Sequence, residues 1–254
     1  MKLALAGKGG AGKTTLSASI ARLLARRGST VVAIDADSNP NLAAALGAPD
    51  VTFSSLPISL VSRKLDGPRL TAPVRDVLAS HAVEVTDGVL LLRMGRPEHA
   101  DEGCLCSMHA TVGAVVHDLG GVPNTITILD LEASPEHLGR GTARNSDLLM
   151  LVAEPYFRSL EAVRLQARLA SESPIRRTVV VANKVRSDAD RGAISEFCQR
   201  ERLELIAVVP WDVAVLDADA ARSALLDYAP ESAAAQAIES VVEFVMQSSK
   251  SSQS

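Results

Sequence analysis

Residues 7–15 read GKGGAGKTT and match the phosphate-loop pattern G-x-x-x-x-G-K-[ST]. The apolar run 2–6 before the loop predicts a strand, and the periodic apolar stretch from about 14 to 27 predicts a helix. Glycines let backbone N–H groups turn toward phosphate, and a helix N-terminus adds positive potential. We therefore expect a nucleotide site, with the Lys13 ammonium on the β- and γ-phosphates and the Thr14 hydroxyl on Mg²⁺. The residues predicted to hold the phosphates are Gly9, Gly10, Ala11, Gly12, Lys13, Thr14 and Thr15.

Short apolar runs recur along the chain and alternate with helical patterns. Continuous apolar strands of this kind are typical of a parallel sheet that is covered on both faces. The pattern predicts an α/β fold, a single doubly wound, mostly parallel sheet with helices on both faces, as in P-loop NTPases. Ligands of such sheets bind at the carboxyl ends of the strands. The predicted later strands are 31–34, 89–92, 125–129, 148–152, 178–181 and 205–209, and the predicted helices between them are 108–119, 158–170 and 188–202.

One domain is expected to span residues 1–246. Within it, the stretch 50–80 has weak periodicity and several prolines, which predicts an irregular or partly helical insertion at one edge. A helix near 231–246 is expected to close the domain. The polar tail 247–254 is predicted to be disordered.

The composition excludes several classes of protein. Of 254 residues, 47% are hydrophobic and 22% are charged, which is ordinary for a globular protein. A net charge of −4 and only 3% aromatic residues disfavour a nucleic-acid binder. No apolar run is long enough for a membrane span. Three cysteines form no disulfide framework and no export signal is recognised, so we expect a cytoplasmic protein. The charge, the aromatic content and the short apolar runs together predict that it has no nucleic-acid or membrane partner.

Carboxylates follow two of the predicted strands. Asp35 and Asp37 come directly after 31–34, and Asp130 follows 125–129 as in a Walker B pattern. Because parallel strands end at one edge of the sheet, these carboxylates should lie beside the phosphate loop. Asp130 is therefore a candidate Mg²⁺ ligand, direct or through water. The alternative for Asp35 and Asp37 is a helix-capping role.

A cysteine pair precedes the helix predicted at 108–119. Cys104 and Cys106 are one residue apart and supply two thiolates, whereas zinc sites usually need four ligands. Thiolates also suit Cu⁺, iron–sulfur clusters or, in planar geometry, Ni²⁺. The same motif in a second subunit could complete the site across a two-fold axis. Other ligands that remain open are His99, Asp101, Glu102 and His109, and a structural or redox pair is the alternative to a metal site.

Lys8 is an additional lysine that an ordinary phosphate loop does not require. With it, the loop resembles the deviant Walker A group, which includes the MinD/ParA partitioning ATPases and the nitrogenase iron protein. The resemblance implies that Lys8 reaches the nucleotide of a partner subunit, as an arginine finger does. It further implies that Asp37, in switch I, positions or activates the attacking water, and that Asp35 supports Mg²⁺ through its water shell. The stretch 131–142 would be switch II, which senses the γ-phosphate.

The same resemblance implies where the adenine ring binds. The Asn183 amide and a backbone contact near Pro210, each at the end of a predicted strand, would recognise the base. The alternative for Asn183 is a cap or turn residue.

The combination of motifs is similar to the CO-dehydrogenase maturation factors of the CooC type. It comprises the loop at 7–15, the Asp-Ala-Asp at 35–37, GCLC at 103–106, the stretch 130–142 and EPYFRSL at 154–160. The resemblance implies a homodimer that binds ATP and Mg²⁺, hydrolyses ATP and holds Ni²⁺, or Zn²⁺, at the dimer interface between paired cysteine motifs. It implies a client metalloenzyme such as CO dehydrogenase.

Two other functions remain open. A positioning ATPase of the MinD/ParA type needs a basic amphipathic helix or a basic surface, whereas residues 239–246 are acidic. An electron-transfer ATPase needs an iron–sulfur cluster, which four thiolates from two C-x-C motifs could ligate.

Overall fold

The computed structural model describes residues 1–62, 68–95, 105–134, 138 and 141–251. Its strands are β1 (Lys2–Gly7), β2 (Thr30–Ala36), β3 (Val61–Ser62), β4 (Arg69–Leu70), β5 (Val83–Glu84), β6 (Leu90–Arg93), β7 (Thr125–Leu131), β8 (Leu148–Ala153), β9 (Arg177–Val185) and β10 (Glu204–Pro210). The described α-helices are α1 (Lys13–Arg26), α2 (Leu42–Ala45), α3 (Val74–His81), α4 (Cys106–Leu119), α5 (Phe157–Ser171), α6 (Asp188–Glu201), α7 (Val213–Ala220), α8 (Leu225–Tyr228) and α9 (Ala233–Ser251).

Eight strands form one sheet in the order β10-β9-β8-β1-β7-β2-β6-β5. The strands from β10 to β6 run parallel, and β5 adds an antiparallel edge. This arrangement confirms the predicted mostly parallel α/β fold. Because β1 is central, the phosphate loop that follows it lies between the ends of β7 and β8, where a parallel sheet binds its ligands.

Two apolar cores cover the two faces of the sheet. On one face, Leu16 and Ile20 of α1 pack with Ile238 of α9. On the other face, the core includes Val112 of α4 and Phe197 of α6. Each fully buried side chain of this size contributes about 1.5–3 kcal/mol relative to exposure. Helices therefore cover both faces, and the rigid sheet between them holds the strand ends in fixed positions.

The proline-containing stretch lies beside the β6 edge. Leu56, which is buried, forms a parallel bridge with Met94 just after β6. A short 3₁₀ helix spans Ile58–Leu60, and β3 pairs with β4 in a separate two-stranded ribbon. Val77 of α3 is also buried. The stretch is thus attached to the sheet edge by a few apolar anchors.

The C-terminal helix is longer than the sequence indicates. The polar sequence predicts disorder from residue 247, whereas α9 continues to Ser251. Residues 252–254 lie outside the described part. The helix contains neither Gly nor Pro, so no residue stops it at 246. Within the described residues, no helix combines the length and hydropathy that crossing a membrane requires.

Candidate functional site: a phosphate loop with acidic strand ends

The phosphate loop connects β1 to α1 through a tight turn. Gly10 and Gly12 have φ values of 80° and 95°, in the left-handed region that favours glycine. A Cβ at Gly12 would lie 2.3 Å from Nδ2 of Asn183. The Ala11 amide donates to the Lys8 carbonyl over 3.1 Å. Glycine at position 12 is therefore required both by the backbone angle and by the close approach of Asn183.

Lys13 is the buried cation of the loop. Its side chain is 7% exposed, and Nζ lies 3.4 Å from the Lys8 carbonyl oxygen. Burial lowers the pKa of Lys13, and the carboxylates of Asp130 and Asp37 oppose that shift. A phosphate group would supply further negative charge to this desolvated ammonium, which is the role expected from the sequence.

Asp130 lies at the end of β7, directly beside the start of α1. It is 1% exposed; the Ser17 hydroxyl donates to it over 3.0 Å, and the Thr14 side chain hydrogen-bonds it. Burial raises the pKa of Asp130 to about 7. Buried carboxylate and hydroxyl oxygens next to a phosphate loop fit Mg²⁺, which prefers oxygen ligands. The predicted pair of Thr14 and Asp130 is thus brought together.

The Asp35 carboxylate makes structural contacts at the end of β2. It accepts from the backbone amides of Leu42 over 2.9 Å and Asp37 over 3.2 Å. It therefore caps the start of α2 and fixes the turn after β2, the alternative weighed from the sequence. Burial raises the pKa of Asp35 to about 6.

Asp37 lies on the loop side of that turn. Its carboxylate accepts from the Asn39 amide over 2.8 Å and acts electrostatically on Lys13. A half-buried carboxylate that faces the phosphate loop is suited to orient a water molecule.

The ends of β9 and β10 border a cavity beside the loop. Asn183 is 8% exposed, and its Nδ2 donates to the Ala11 carbonyl over 2.7 Å. The cavity measures about 400 Å³ and runs from Gly10 and Gly12 past Asn183 to Pro210. Both residues predicted to recognise adenine therefore border a space that is continuous with the phosphate loop.

Lys184, which no sequence motif singles out, also holds the loop. Nζ of Lys184 donates to the Gly10 carbonyl and lies 3.0 Å from Oε1 of Glu154. Lys184 has φ 59°, a left-handed backbone that is uncommon for lysine. The only sequence signal for Lys184 is its position directly after Asn183. Its contacts with Gly10 and Glu154 join the ends of β8 and β9 to the loop, so they depend on the tertiary fold.

Lys8 contacts an aromatic ring in its own chain. Its Nζ lies 5.6 Å from the ring centroid of Tyr156, whose hydroxyl donates to Glu154 over 2.7 Å. Tyr156 is 41% exposed, and the neighbouring Phe157 is 75% exposed. Lys8 thus lies beside the exposed ring of Tyr156.

The cysteine motif is only partly within the described residues. Cys106 is the first residue of α4 and is exposed, whereas Cys104 lies outside the described part. His109, one turn further along the helix, is 4% exposed. Among the described residues, no group of three or more His, Cys, Asp or Glu side chains could hold a metal ion. The described part of one chain therefore contains no complete site of this kind.

The predicted switch II is likewise incomplete in the described part. Residues 131–134, 138, 141 and 142 are described, and the others of 131–142 lie outside it. Gly141 has φ 94°.

Comparisons with known proteins agree with this geometry. The sequence model of the CobQ/CobB/MinD/ParA nucleotide binding domain matches residues 2–226. The chain is 35% identical over 241 residues to the carbon monoxide dehydrogenase accessory protein CooC of Rhodospirillum rubrum, covering 91% of both chains. Among solved structures, it is similar to the MinD cell division protein of Aquifex aeolicus, with a TM-score of 0.72, 22% identity and 97% of both chains covered. It is also similar to MinD of Pyrococcus horikoshii OT3 complexed with Mg-ADP, with a TM-score of 0.69, 22% identity and 96% of both chains covered.

Proposed function

The chain belongs to the CobQ/CobB/MinD/ParA nucleotide-binding family. We propose that it is a Mg²⁺-dependent ATPase. We further propose that it acts as a nickel metallochaperone for a client enzyme such as CO dehydrogenase. The observation that carries the ATPase part is the buried Lys13 in a glycine loop, next to the hydrogen-bonded pair of Thr14 and Asp130. The 35% identity to a CO dehydrogenase accessory protein supports the client.

Nucleotide binding rests on the loop and the strand ends. The amides of residues 9–15 and the Lys13 ammonium bind the phosphates, and Asn183 and Pro210 border the base. Mg²⁺, when bound, neutralises charge on the β- and γ-phosphates. Thr14 and Asp130 would hold it, with Asp35 fixing the turn beside them. The Mg-ADP complex of a MinD relative supports this cofactor.

ATP hydrolysis depends on dimerisation, because each site needs a lysine from the other subunit. Asp37 orients the attacking water in its own subunit, and Lys8 acts on the nucleotide of the partner. Lys8 lies over the exposed ring of Tyr156, and the adjacent Phe157 is also exposed; both aromatic side chains are available to a partner subunit, which supports a homodimer.

Metal is the cargo rather than a resident cofactor. The exposed Cys106 at the start of α4 supports a site that two copies of Cys104-Leu105-Cys106 complete across the dimer axis. Four thiolates suit Ni²⁺ in planar or Zn²⁺ in tetrahedral geometry. ATP binding closes the dimer on the metal, and hydrolysis opens it and releases the metal to the client. We place this cycle in the cytoplasm.

The test of the ATPase is hydrolysis of MgATP together with ADP affinity. Lys13→Ala should abolish both. The control is Lys250→Ala near the end of α9, which should leave both unchanged. Phosphate release by Lys13→Ala at the wild-type rate would contradict the proposal.

The fold similarity to MinD favours one second candidate, a positioning ATPase that cycles on a surface. The acidic character of α9 argues against an anionic membrane: Glu239 is paired with Arg27, and Glu243 is exposed. Co-sedimentation with anionic vesicles in MgATP would favour this candidate; absence from the pellet would favour the metallochaperone.

A further inference from the structure

The two lysines of the phosphate loop differ in what holds their side chains. Lys13 is buried, and several carboxylates act on it. Lys8 is half-buried and, within the part of the chain that the structure describes, forms no ion pair with an acidic side chain. Its Nζ instead lies 5.6 Å from the ring centroid of Tyr156. Because a lysine ammonium is carried on a flexible four-carbon stem, this ring is what restricts the position of the Lys8 charge.

The ring of Tyr156 is fixed at both ends of the residue. Its hydroxyl donates to Oε2 of Glu154 over 2.7 Å. Burial, together with this bond, raises the pKa of Tyr156 to about 12, so the hydroxyl stays a donor at neutral pH. On the backbone, the Tyr156 amide donates to the Glu154 carbonyl over 2.8 Å, and the Tyr156 carbonyl accepts from the Ser159 amide over 3.0 Å. The ring therefore has a defined position.

Glu154 connects this ring to the phosphate loop. It directly follows β8 and is 7% exposed, and a carboxylate this buried requires partners. Oε2 accepts from Tyr156, and Oε1 lies 3.0 Å from Nζ of Lys184, which also donates to the Gly10 carbonyl. The contacts from Lys8 through Tyr156, Glu154 and Lys184 to Gly10 thus begin and end in the loop. The ring is positioned relative to the same loop that carries Lys8.

We propose that Tyr156 is a positioning residue for Lys8, whose ammonium it holds ready to reach the nucleotide of a partner subunit. This inference rests on the proposed function. The face of a tyrosine ring attracts a cation, but at a site as exposed as this one the attraction is small, so a phosphate can replace it. The ring reduces the conformational freedom that Lys8 would otherwise lose when the dimer forms. Tyr156 acts in this role through Lys8 alone.

NMR measures the contact itself. In nucleotide-free protein with ¹³C-labelled lysine, the ε-methylene signal of Lys8 is assigned from its absence in Lys8→Arg. The ring current of Tyr156 should place this signal upfield of its position in the urea-unfolded chain. Tyr156→Phe keeps the ring and should keep the shift, whereas Tyr156→Leu should abolish it. A Lys8 signal that Tyr156→Leu leaves unchanged would overturn the proposal.

Mixed dimers of Lys8→Ala and Asp37→Ala chains test the role in hydrolysis. The one complete site of such a dimer has Asp37 from the Lys8→Ala chain and receives Lys8 from the Asp37→Ala chain. Adding Tyr156→Leu to the chain that supplies Lys8 should lower kcat about two- to fivefold and leave KM for MgATP unchanged. The same change in the other chain should have no effect on kcat, because that chain supplies no Lys8.

The chain contains two tyrosines, so Tyr228 provides the matched control. It lies at the end of α8 and is 48% exposed. Tyr228→Leu should leave kcat unchanged in either chain, and thermal melting checks that every variant folds. Tyr156→Phe in the chain that supplies Lys8 should retain most of the rate.

The mixed dimers also separate the inference from the function on which it rests. An equal loss of kcat from Tyr156→Leu in either chain would mean that the ring supports the fold or the dimer contact, and no loss from either chain would mean that Lys8 needs no positioning. Either result would overturn the role of Tyr156 and leave the proposed function intact. A mixture no faster than its separate components, with mixed dimers demonstrated, would overturn the action of Lys8 across the dimer and this inference with it.

Discussion

Asp35 and Asp130 are register partners on the adjacent parallel strands β2 and β7. Both side chains are buried, and the charge of Asp35 contributes to raising the pKa of Asp130. Burial raises the pKa of Asp35 to about 6 and that of Asp130 to about 7, from an ordinary value of 3.8. Two carboxyls that resist ionisation therefore lie where we expect Mg²⁺ and phosphates.

These pKa values predict how the stability of the nucleotide-free protein depends on pH. A carboxyl with a raised folded pKa binds its proton more tightly in the folded chain. Its contribution to stability is present below about pH 4 and is lost as the pH rises through about 6 and 7. The free energy of unfolding of Asp130→Asn should therefore fall less than that of the wild type between about pH 5 and about pH 8. Urea unfolding at both pH values measures this, and parallel curves for the two proteins would contradict it.

The same carboxyl predicts the pH dependence of nucleotide binding. Mg²⁺ requires an ionised carboxylate, so the gain in ADP affinity on adding Mg²⁺ should increase from about pH 5.5 to about pH 8. Asp130→Asn should show a small gain with little pH dependence. Calorimetry with Mg²⁺ and with EDTA gives the two affinities. A wild-type gain that is constant with pH would argue against Asp130 as the magnesium ligand.

Gly12→Ala should destabilise the protein strongly. The new Cβ would meet Nδ2 of Asn183 at 2.3 Å, and φ is 95° there. We expect a loss of about 2–4 kcal/mol in urea unfolding, together with loss of ADP binding. Gly192→Ala is the control, because it lies inside α6 with open space around it. That change should stabilise the protein by about 0.5–1 kcal/mol.

Asn183→Ala should show that the amide holds the loop. It removes the 2.7 Å bond to the Ala11 carbonyl and should cost about 1–3 kcal/mol of stability. In the Asn183→Ala background, Gly12→Ala should be less harmful than alone, because the clashing atom is gone. A double-mutant cycle by urea unfolding measures this coupling. Additive effects would mean that the backbone angle alone excludes alanine.

Mixing two inactive variants should test whether Lys8 acts across the dimer. Lys8→Ala and Asp37→Ala should each hydrolyse ATP slowly. In a mixed dimer, one site has an intact Asp37 and receives an intact Lys8 from the partner, so an equal mixture should recover about a quarter of the wild-type rate. The phosphate release of the mixture is compared with the mean of the separate variants. No recovery, with mixed dimers demonstrated, would place Lys8 in its own site.

The fold and the phosphate loop were predictable because their signals are local. The glycines and the lysine that define the phosphate loop all lie within residues 7–15. An apolar run that ends in a polar residue predicts both a strand and a candidate ligand at its end, as for Asp130. The contacts of Asp35 with the start of α2 and of Lys184 with Gly10 were not predictable in this way. Each joins segments whose relative position depends on tertiary packing. The polar composition after residue 246 predicts disorder, but the segment contains no helix-breaking residue, so α9 continues to Ser251.

In the proposed function, two subunits share one metal site under nucleotide control. The most direct measurement is an anaerobic Ni²⁺ titration of the reduced protein, with solution mass determined with and without MgATP. We expect one Ni²⁺ per two chains, lost in Cys106→Ser and retained in Cys198→Ala, since the Cys198 thiol is buried and burial raises its pKa to about 11. Reduced wild-type protein that binds no Ni²⁺, or Cys106→Ser that binds it like the wild type, would contradict a metal site formed by the paired cysteine motifs.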